Sequence, residues 1–382
     1  MRGMLLKLKK VIVTLGKVFL NCIYYIFRIL PVEDQVVFIS MQSNKKSLDF
    51  EMLEECLKFE DPSAKLVFLC KKMESKLSTK LDYIKYVFCM TGYVLKAMYY
   101  LASSRVCVTE SYCVPISILK HRKDLTILQI WHASGAVKKF GYQSLDTAEG
   151  KSKELAEIMC MHKNYNYAIA PSEVTREIFS KAFNIEKEKI VKLGLPRLEY
   201  ITDSRYNKAK EIYSKYPELQ NKKVILYAPT FRNGKNIDLT EILNYPLDKS
   251  KYKLIIKLHP LAQNIVPEEN IIDSKYTSYD LIKIADYIIT DYSALSIEAS
   301  LLEKPIFIYN YDIDEYEKDR GLNVKFEEEL KTFTSKKFSD IMSKIEKSDF
   351  DIGEIIRYKE KYIEVDIKDT TTKLSKFILS IF

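Results

Sequence analysis

The sequence predicts an α/β protein: two Rossmann-like halves, each a doubly wound parallel sheet, facing a cleft, preceded by an amphipathic helix that associates with a membrane surface. Three observations predict it. Short apolar runs alternate with helical stretches along most of the chain, the pattern of parallel sheets with crossover helices. The pattern restarts after a charged helical stretch at Tyr206–Tyr216. The first 32 residues combine apolar and aromatic residues with six basic residues and no acid.

Residues 4–31 read as that helix. Lys17 and Arg28 interrupt the apolar run, which disfavours a full membrane span, and no small-residue cleavage site follows Leu30. A helix lying on an anionic cytoplasmic leaflet fits the mixture; a plain helix packed on the domain is the alternative. Strands are expected at Gln35–Ser40, Lys65–Cys70, Tyr83–Cys89, Arg105–Thr109, Leu125–Ile130 and Asn166–Ala170, with helices at Leu48–Phe59, Tyr93–Leu101 and from Pro171-Ser172 to Phe183, and Lys189–Leu195 leads into Pro196-Arg197. In the second half the strands are Lys223–Ala228, Lys253–Leu258, Tyr287–Thr290 and Ile306–Tyr309, with a short helix over Ala294–Leu302. Residues 334–382 read as helical and able to pack back on the first domain. The expected division is a membrane-association segment 1–32, an N-terminal domain 33–204 and a C-terminal domain 205–382.

Composition narrows the function. A 47% hydrophobic content supports a substantial core, and 10 Gly and 11 Pro in 382 residues leave little room for disordered linkers. Of the net charge of +8, only +2 remains outside residues 1–32, so the body lacks the basic stripe of a nucleic-acid-binding domain. Seven cysteines form no CxxC pair and sit largely in apolar runs; they read as reduced core residues of a reducing compartment. Neither they nor the four histidines show metal-ligand spacing, so no metal and no cofactor is expected.

Candidate chemistry sits in four loops that follow expected strands, where ligands bind in open parallel sheets. The first is Trp131-His132-Ala133-Ser134-Gly135, continuing to Lys138-Lys139. His132 suits a general base beside an anionic substrate; a core histidine bonded to backbone is the competing reading. The second is Pro229-Thr230-Phe231-Arg232-Asn233-Gly234, where Arg232 can fork onto a phosphate, or be a surface arginine at a turn. The third is Lys257-Leu258-His259-Pro260, in which the proline keeps His259 extended. The fourth is Asp291-Tyr292-Ser293 before the short helix. Asp291 and Ser293 read as caps, and the opening helix offers free amides to a diphosphate. Glu298, one turn on, is placed to accept from ribose hydroxyls. There is no G-x-G-x-x-G, P-loop or H-E-x-x-H.

Taken together and in order, W-H-A-x-G-A-x-K-K-F-G, A-P-T-F-R, K-L-H-P, I-T-D-Y-S and K-P-I-F-x-Y-x-x-D-x-x-E-Y-x-x-x-R-G, from about Gln129 to Gly321, resemble the CDP-glycerol glycerophosphotransferase family of wall teichoic acid synthesis. The resemblance implies a GT-B-like fold and a peripheral protein at the cytoplasmic face of the cell membrane. It also implies transfer of an alditol phosphate from CDP-glycerol, or CDP-ribitol, to an undecaprenyl-diphosphate-linked acceptor with release of CMP. By the matching motifs, His132 and His259 are the catalytic candidates. Thr230, Arg232, Lys257, Asp291, Ser293, Glu298 and Arg320 are donor-binding candidates, and Lys138 and Lys139 acceptor-binding ones. The W-H-A-x-G-A form and the chain length are similar to the short priming members, whereas many polymerising members read W-H-G-T. Where the family often reads D-Y-S-S, this chain has Ala294 after Ser293. A nucleotide-sugar glycosyltransferase and a scaffold with a decayed site are the rival readings.

Overall fold

A computed structural model describes residues 2–72, 79–232, 236–259, 262 and 264–382, with side chains from Lys10 onward. Asn233 and Gly234 of the second loop and Pro260 of the third lie outside the described residues. The chain forms two compact units, the first made of residues 1–133, 140–196 and 365–382, the second of 134–139 and 197–364. A single boundary at residues 204 and 205 therefore does not divide the chain: Arg197 already belongs to the second unit, and the last helix belongs to the first.

The first unit holds a six-stranded parallel sheet of β1 (Glu33–Ser40), β2 (Lys65–Cys70), β3 (Ser104–Thr109), β4 (Thr126–Gln129), β5 (Tyr167–Ala170) and β6 (Ile190–Lys192), in the order β2-β1-β3-β4-β5-β6. Both faces of a parallel sheet are covered, which is why its strands read as unbroken apolar runs. Val36 and Phe38 of β1, Val106 and Val108 of β3, and Leu128 of β4 point to one face, at the two-residue period of a strand. There they meet Phe50, Leu53 and Leu57 of helix Leu48–Glu60 and Leu374 and Ile378 of helix Thr370–Leu379. Each such fully buried side chain contributes about 1.5–3 kcal/mol. The last helix is thus part of the first unit's core.

Helix Lys80–Ser103 opens on a reciprocal cap between Thr79 and Asp82. It absorbs Tyr83–Cys89, which the aromatic and β-branched residues there suggested as a strand. Those residues are not core at all: Leu81, Tyr83, Ile84, Val87 and Phe88 are exposed. They form an outward apolar face at helical spacing.

Helix Arg2–Phe27 packs on this unit through one face. Tyr24 is buried, and its hydroxyl donates to Nδ1 of His121 at 2.9 Å, while His121 Nε2–H donates to the Ile116 carbonyl at 2.7 Å. Asn21 bonds the Ile118 carbonyl and the Lys120 amide. By length and composition Lys10–Phe27 is long and apolar enough to cross a membrane.

The second unit holds a five-stranded parallel sheet of β7 (Lys223–Tyr227), β8 (Tyr252–Ile256), β9 (Tyr287–Thr290), β10 (Ile306–Tyr309) and the two-residue β11 (Thr334–Ser335), in the order β11-β10-β9-β7-β8. Lys304 shows how a motif residue builds it. Its ammonium donates to the carbonyls of Ile282, Lys283 and Ala285 at 2.7–3.1 Å, satisfying the end of helix Ser278–Ile284. Pro305 then leads into β10.

Candidate functional site

In the first unit the polar residues gather at the carboxyl ends of β1, β3 and β4. Trp131 takes a left-handed backbone conformation, φ 46°, unusual for a bulky residue. Its amide donates to the Gln129 side chain at 2.8 Å, and its ring stacks on Phe140 at 4.6 Å. Phe183 and the buried His162 meet the same ring edge-on. This turn sends His132 outward, exposed at the strand end.

His132 Nδ1 lies 3.1 Å from the Glu110 carbonyl. A carbonyl only accepts, so the bond needs Nδ1–H and leaves Nε2 as the basic nitrogen of the neutral ring. The Gln42 amide stands 3.4 Å from the same Nδ1. Glu110 is itself fixed: its buried carboxylate accepts from Ser40 Oγ at 2.6 Å. Glu110 was not read from the sequence, although an acid closing the apolar strand SRVCVT was a usable signal. The competing reading of His132 as a core histidine fits His162 instead. Burial, then Lys151 and His132, hold that ring neutral with a pKa of about 3.

Lys138 and Lys139 belong to the second unit with the rest of 134–139. Lys139 N–H donates to the Gly321 carbonyl at 3.0 Å, and Asn323 N–H to the Val137 carbonyl at 2.8 Å. The Asn323 amide also donates to the carbonyls of Ala136 and Lys138. Gly321 needs to be glycine: its φ is +82°, and a Cβ there would meet Lys139 Cδ at 3.0 Å. Arg320 Nε donates to the Lys139 carbonyl at 3.4 Å. The W-H-A-S-G-A and R-G motifs therefore meet as structure, and this contact of Arg320 goes to the peptide rather than to a donor.

Glu298 is corrected in the same way. It is buried, its Oε1 accepting from Ser134 Oγ at 3.0 Å and its Oε2 from Tyr279 hydroxyl at 3.1 Å, with Arg197 3.9 Å away. It anchors Ser134 and is not turned out toward a ribose. Gly135 packs so closely beside it that a Cβ would fall 2.2 Å from Ile297 Cδ1.

Arg232 is the largest correction. Its guanidinium is buried between two carboxylates: Nε and Nη2 donate to Asp312 at 3.0 and 3.1 Å, and Nη2 lies 2.9 Å from Asp291 Oδ2. Nη1 donates to the Thr230 carbonyl at 3.0 Å. The stacked rings of Tyr292 and Tyr316 lie against it, with centroids 5.3 and 4.9 Å from the guanidinium carbon. Two negative charges already answer its one positive charge, so it ties the ends of β7, β9 and β10 together instead of facing a phosphate. Asp291 is accordingly no helix cap; its other oxygen accepts from the Thr230 amide at 2.8 Å. Asp312 and Tyr316 were present in the last motif, yet nothing in one sequence pairs them with Arg232.

The other polar groups at these strand ends are differently placed. Lys257 follows β8, is half-buried, and has no carboxylate within ion-pair distance among the described residues; burial pulls its ammonium below the usual range. His259 is exposed, its ring 5.1 Å from that of Phe231. Thr230 Oγ1 and Asn310 Oδ1 are buried with no hydrogen-bond partner among the described residues. Ser293 Oγ accepts from the Leu295 amide at 3.2 Å, opening helix Leu295–Ser300. The unit thus offers one lysine, one histidine, a threonine hydroxyl and a serine-led turn, a set suited to an anionic, hydroxylated ligand.

Residues 22–380 match the protein family described as CDP-glycerol:poly(glycerophosphate) glycerophosphotransferase. A teichoic acid ribitol-phosphate primase of Bacillus spizizenii is 32% identical over 92% of this chain and 92% of its own. A teichoic acid glycerol-phosphate primase of Bacillus subtilis is 37% identical over 60% of this chain and 62% of its own. The solved wall teichoic acid polymerase TagF superposes with a TM-score of 0.71 at 20% identity, over 98% of this chain and 97% of that one; this likeness is one of fold.

Proposed function

The chain belongs to the CDP-glycerol:poly(glycerophosphate) glycerophosphotransferase family, and we propose that it primes teichoic acid synthesis by moving one glycerol phosphate from CDP-glycerol to a lipid-linked disaccharide, releasing CMP. The observation that carries the reading is His132: an exposed imidazole at a strand end, with Nδ1 tied to a backbone carbonyl and Nε2 left basic. The acceptor hydroxyl oxygen attacks the phosphorus that bears glycerol. Its proton passes to His132 Nε2, and the bond from that phosphorus to the bridging oxygen breaks, so that CMP departs with the electron pair. Lys257, His259 and the turn at Ser293 stabilise charge on the diphosphate, and Thr230 Oγ1 donates to it. Positioning and electrostatics do most of the work in such transfers. Arg232, Asp291 and Glu298 act as positioning residues, as does Arg320. Lys138 and Lys139 remain candidates for acceptor phosphate.

The fold belongs with this reading: two parallel α/β units of a GT-B-like protein, held at the cytoplasmic face of a membrane by the first helix. Supporting that attachment, Tyr24 and Asn21 bond one face of the helix to the protein, which disfavours a span, while Val11, Ile12, Leu15 and Phe19 are exposed. Ribitol phosphate is the second reading, favoured by the relative matched over 92% of both chains. Mass spectrometry of products, with a lipid-linked disaccharide and CDP-glycerol or CDP-ribitol in turn, decides between them. One added glycerol phosphate supports the proposal, a ribitol adduct changes the donor, and a ladder of additions rejects priming.

A further inference from the structure

The first helix carries an exposed apolar stripe and, beside it, a polar face that meets the first unit. At about 100° per residue, Lys10, Thr14, Lys17, Asn21, Tyr24 and Arg28 lie along that polar face, where Asn21 and Tyr24 make packing contacts. This face lines a groove of about 660 Å3 whose far wall includes Lys120, Glu157 and Ile158. Four cations therefore border it against one carboxylate. None of Lys10, Lys17, Arg28 or Lys120 has an acidic partner among the described residues. Lys17 lies 2.8 Å from Cys160 Sγ, and Arg28 Nη1 donates to the Lys120 carbonyl at 3.2 Å. Arg28 and Lys120 thus share one end of the groove. Val18, Tyr25 and Ile158 give it apolar wall between the charges.

Arg28 and Lys120, neighbours at one end of the groove with no carboxylate paired to them among the described residues, repel one another unless an anion joins them. A free phosphate would use the charges and leave the apolar wall wet; an apolar peptide would do the reverse. A molecule with a phosphate at the end of an alkyl chain uses both. Beside the groove on the same helix runs the exposed apolar stripe, where Val11, Leu15, Phe19 and Ile26 are more than half exposed. A helix set with that stripe in the acyl region holds its neighbouring face at headgroup depth. We propose that this groove is a binding site for one anionic glycerophospholipid of the bilayer, its phosphate held by Arg28 and Lys120 at one end and its acyl chain lying along Val18 and Tyr25. The site does not depend on which alditol the enzyme transfers.

Titration calorimetry of the full-length protein with dihexanoyl phosphatidylglycerol, kept below its micellar concentration, tests this. Saturable one-to-one binding is expected. Lys120 is held through its backbone, so K120Q should stay folded and raise the dissociation constant about fivefold, one charge near a lipid phosphate being worth about 1 kcal/mol. K85Q removes the same charge from an exposed position of the neighbouring helix and should change it less than about twofold. Equal loss in both variants, equal binding of dihexanoyl phosphatidylcholine, or no saturable binding would each overturn the proposal. So would tighter binding of inorganic phosphate or of farnesyl diphosphate, which would assign the groove to a free anion or to the prenyl-linked acceptor.

Discussion

The two sheets end in opposite ways. At the strand ends of the first unit one side chain, His132, is exposed, with Nδ1 on the Glu110 carbonyl. At those of the second, the strongest charges are turned inward: Arg232, Asp291 and Asp312 form a buried cluster capped by Tyr292 and Tyr316. The comparison teaches that a charged residue in a motif is not thereby a ligand contact. In one unit the motif residue we propose as the reagent is exposed; in the other a buried motif residue braces the loops that carry Lys257, His259 and Ser293.

Substitutions separate reagent from brace. His132→Ala should lower the transfer rate by about 10²–10⁴ while leaving the thermal unfolding midpoint and the binding of CDP-glycerol nearly unchanged. A variant keeping half of the wild-type kcat would remove His132 from the chemistry. Arg232→Ala should instead cost about 3–5 kcal/mol of stability, because it strands the buried carboxylate of Asp291 and the half-buried one of Asp312. Arg232→Lys should recover only part of that, since an ammonium cannot bridge both acids as the planar fork does. Chemical denaturation measures the loss. An unchanged stability with a raised KM for the CDP-alditol would make Arg232 a phosphate ligand after all.

The histidines sharpen the contrast within the first unit. His121 and His162 are held neutral, mainly by burial, with pKa values of about 4 and about 3 against an ordinary 6.5. The unfolded chain takes up these protons first. Their contribution to stability is therefore complete above about pH 6.5 and falls away as pH drops toward 4 and then 3. Denaturation midpoints measured from pH 7 to pH 4 should decline, and His121→Gln should flatten part of the decline. The smallest effect belongs to Lys257→Met. It should raise KM for the CDP-alditol about tenfold, as loss of one charge-assisted bond does, without moving the unfolding midpoint.

The strands were legible where a short apolar run stood between helical or turn stretches. Lys65–Cys70, Tyr287–Thr290 and Ile306–Tyr309 form strands with the bounds expected of them. Legibility failed where burial and apolarity part company. Tyr83–Cys89 has the composition of a strand, but its large side chains point into solvent from a helix. At the candidate site, residue types and their place after strands could be read; orientation could not. Glu298 and Ser293 lie on consecutive turns, yet one anchors Ser134 inside the unit and the other leads the turn. Only a three-dimensional partner list separates them, because the choice is made by residues more than a hundred positions away.

The last helix, Thr370–Leu379, gives the chain an order of completion during synthesis. Its Leu374 and Ile378 cover the sheet that begins at Glu33, so the first half made waits for this helix to leave the ribosome. At about 5–20 residues per second, the interval from Pro196 to Leu379 is on the order of ten to forty seconds. Throughout it the apolar face of β1, β3 and β4 lacks part of its cover and is open to wrong partners. Truncation of the final eighteen residues should leave nascent protein in that state permanently, captured by chaperones even though every motif residue has been made.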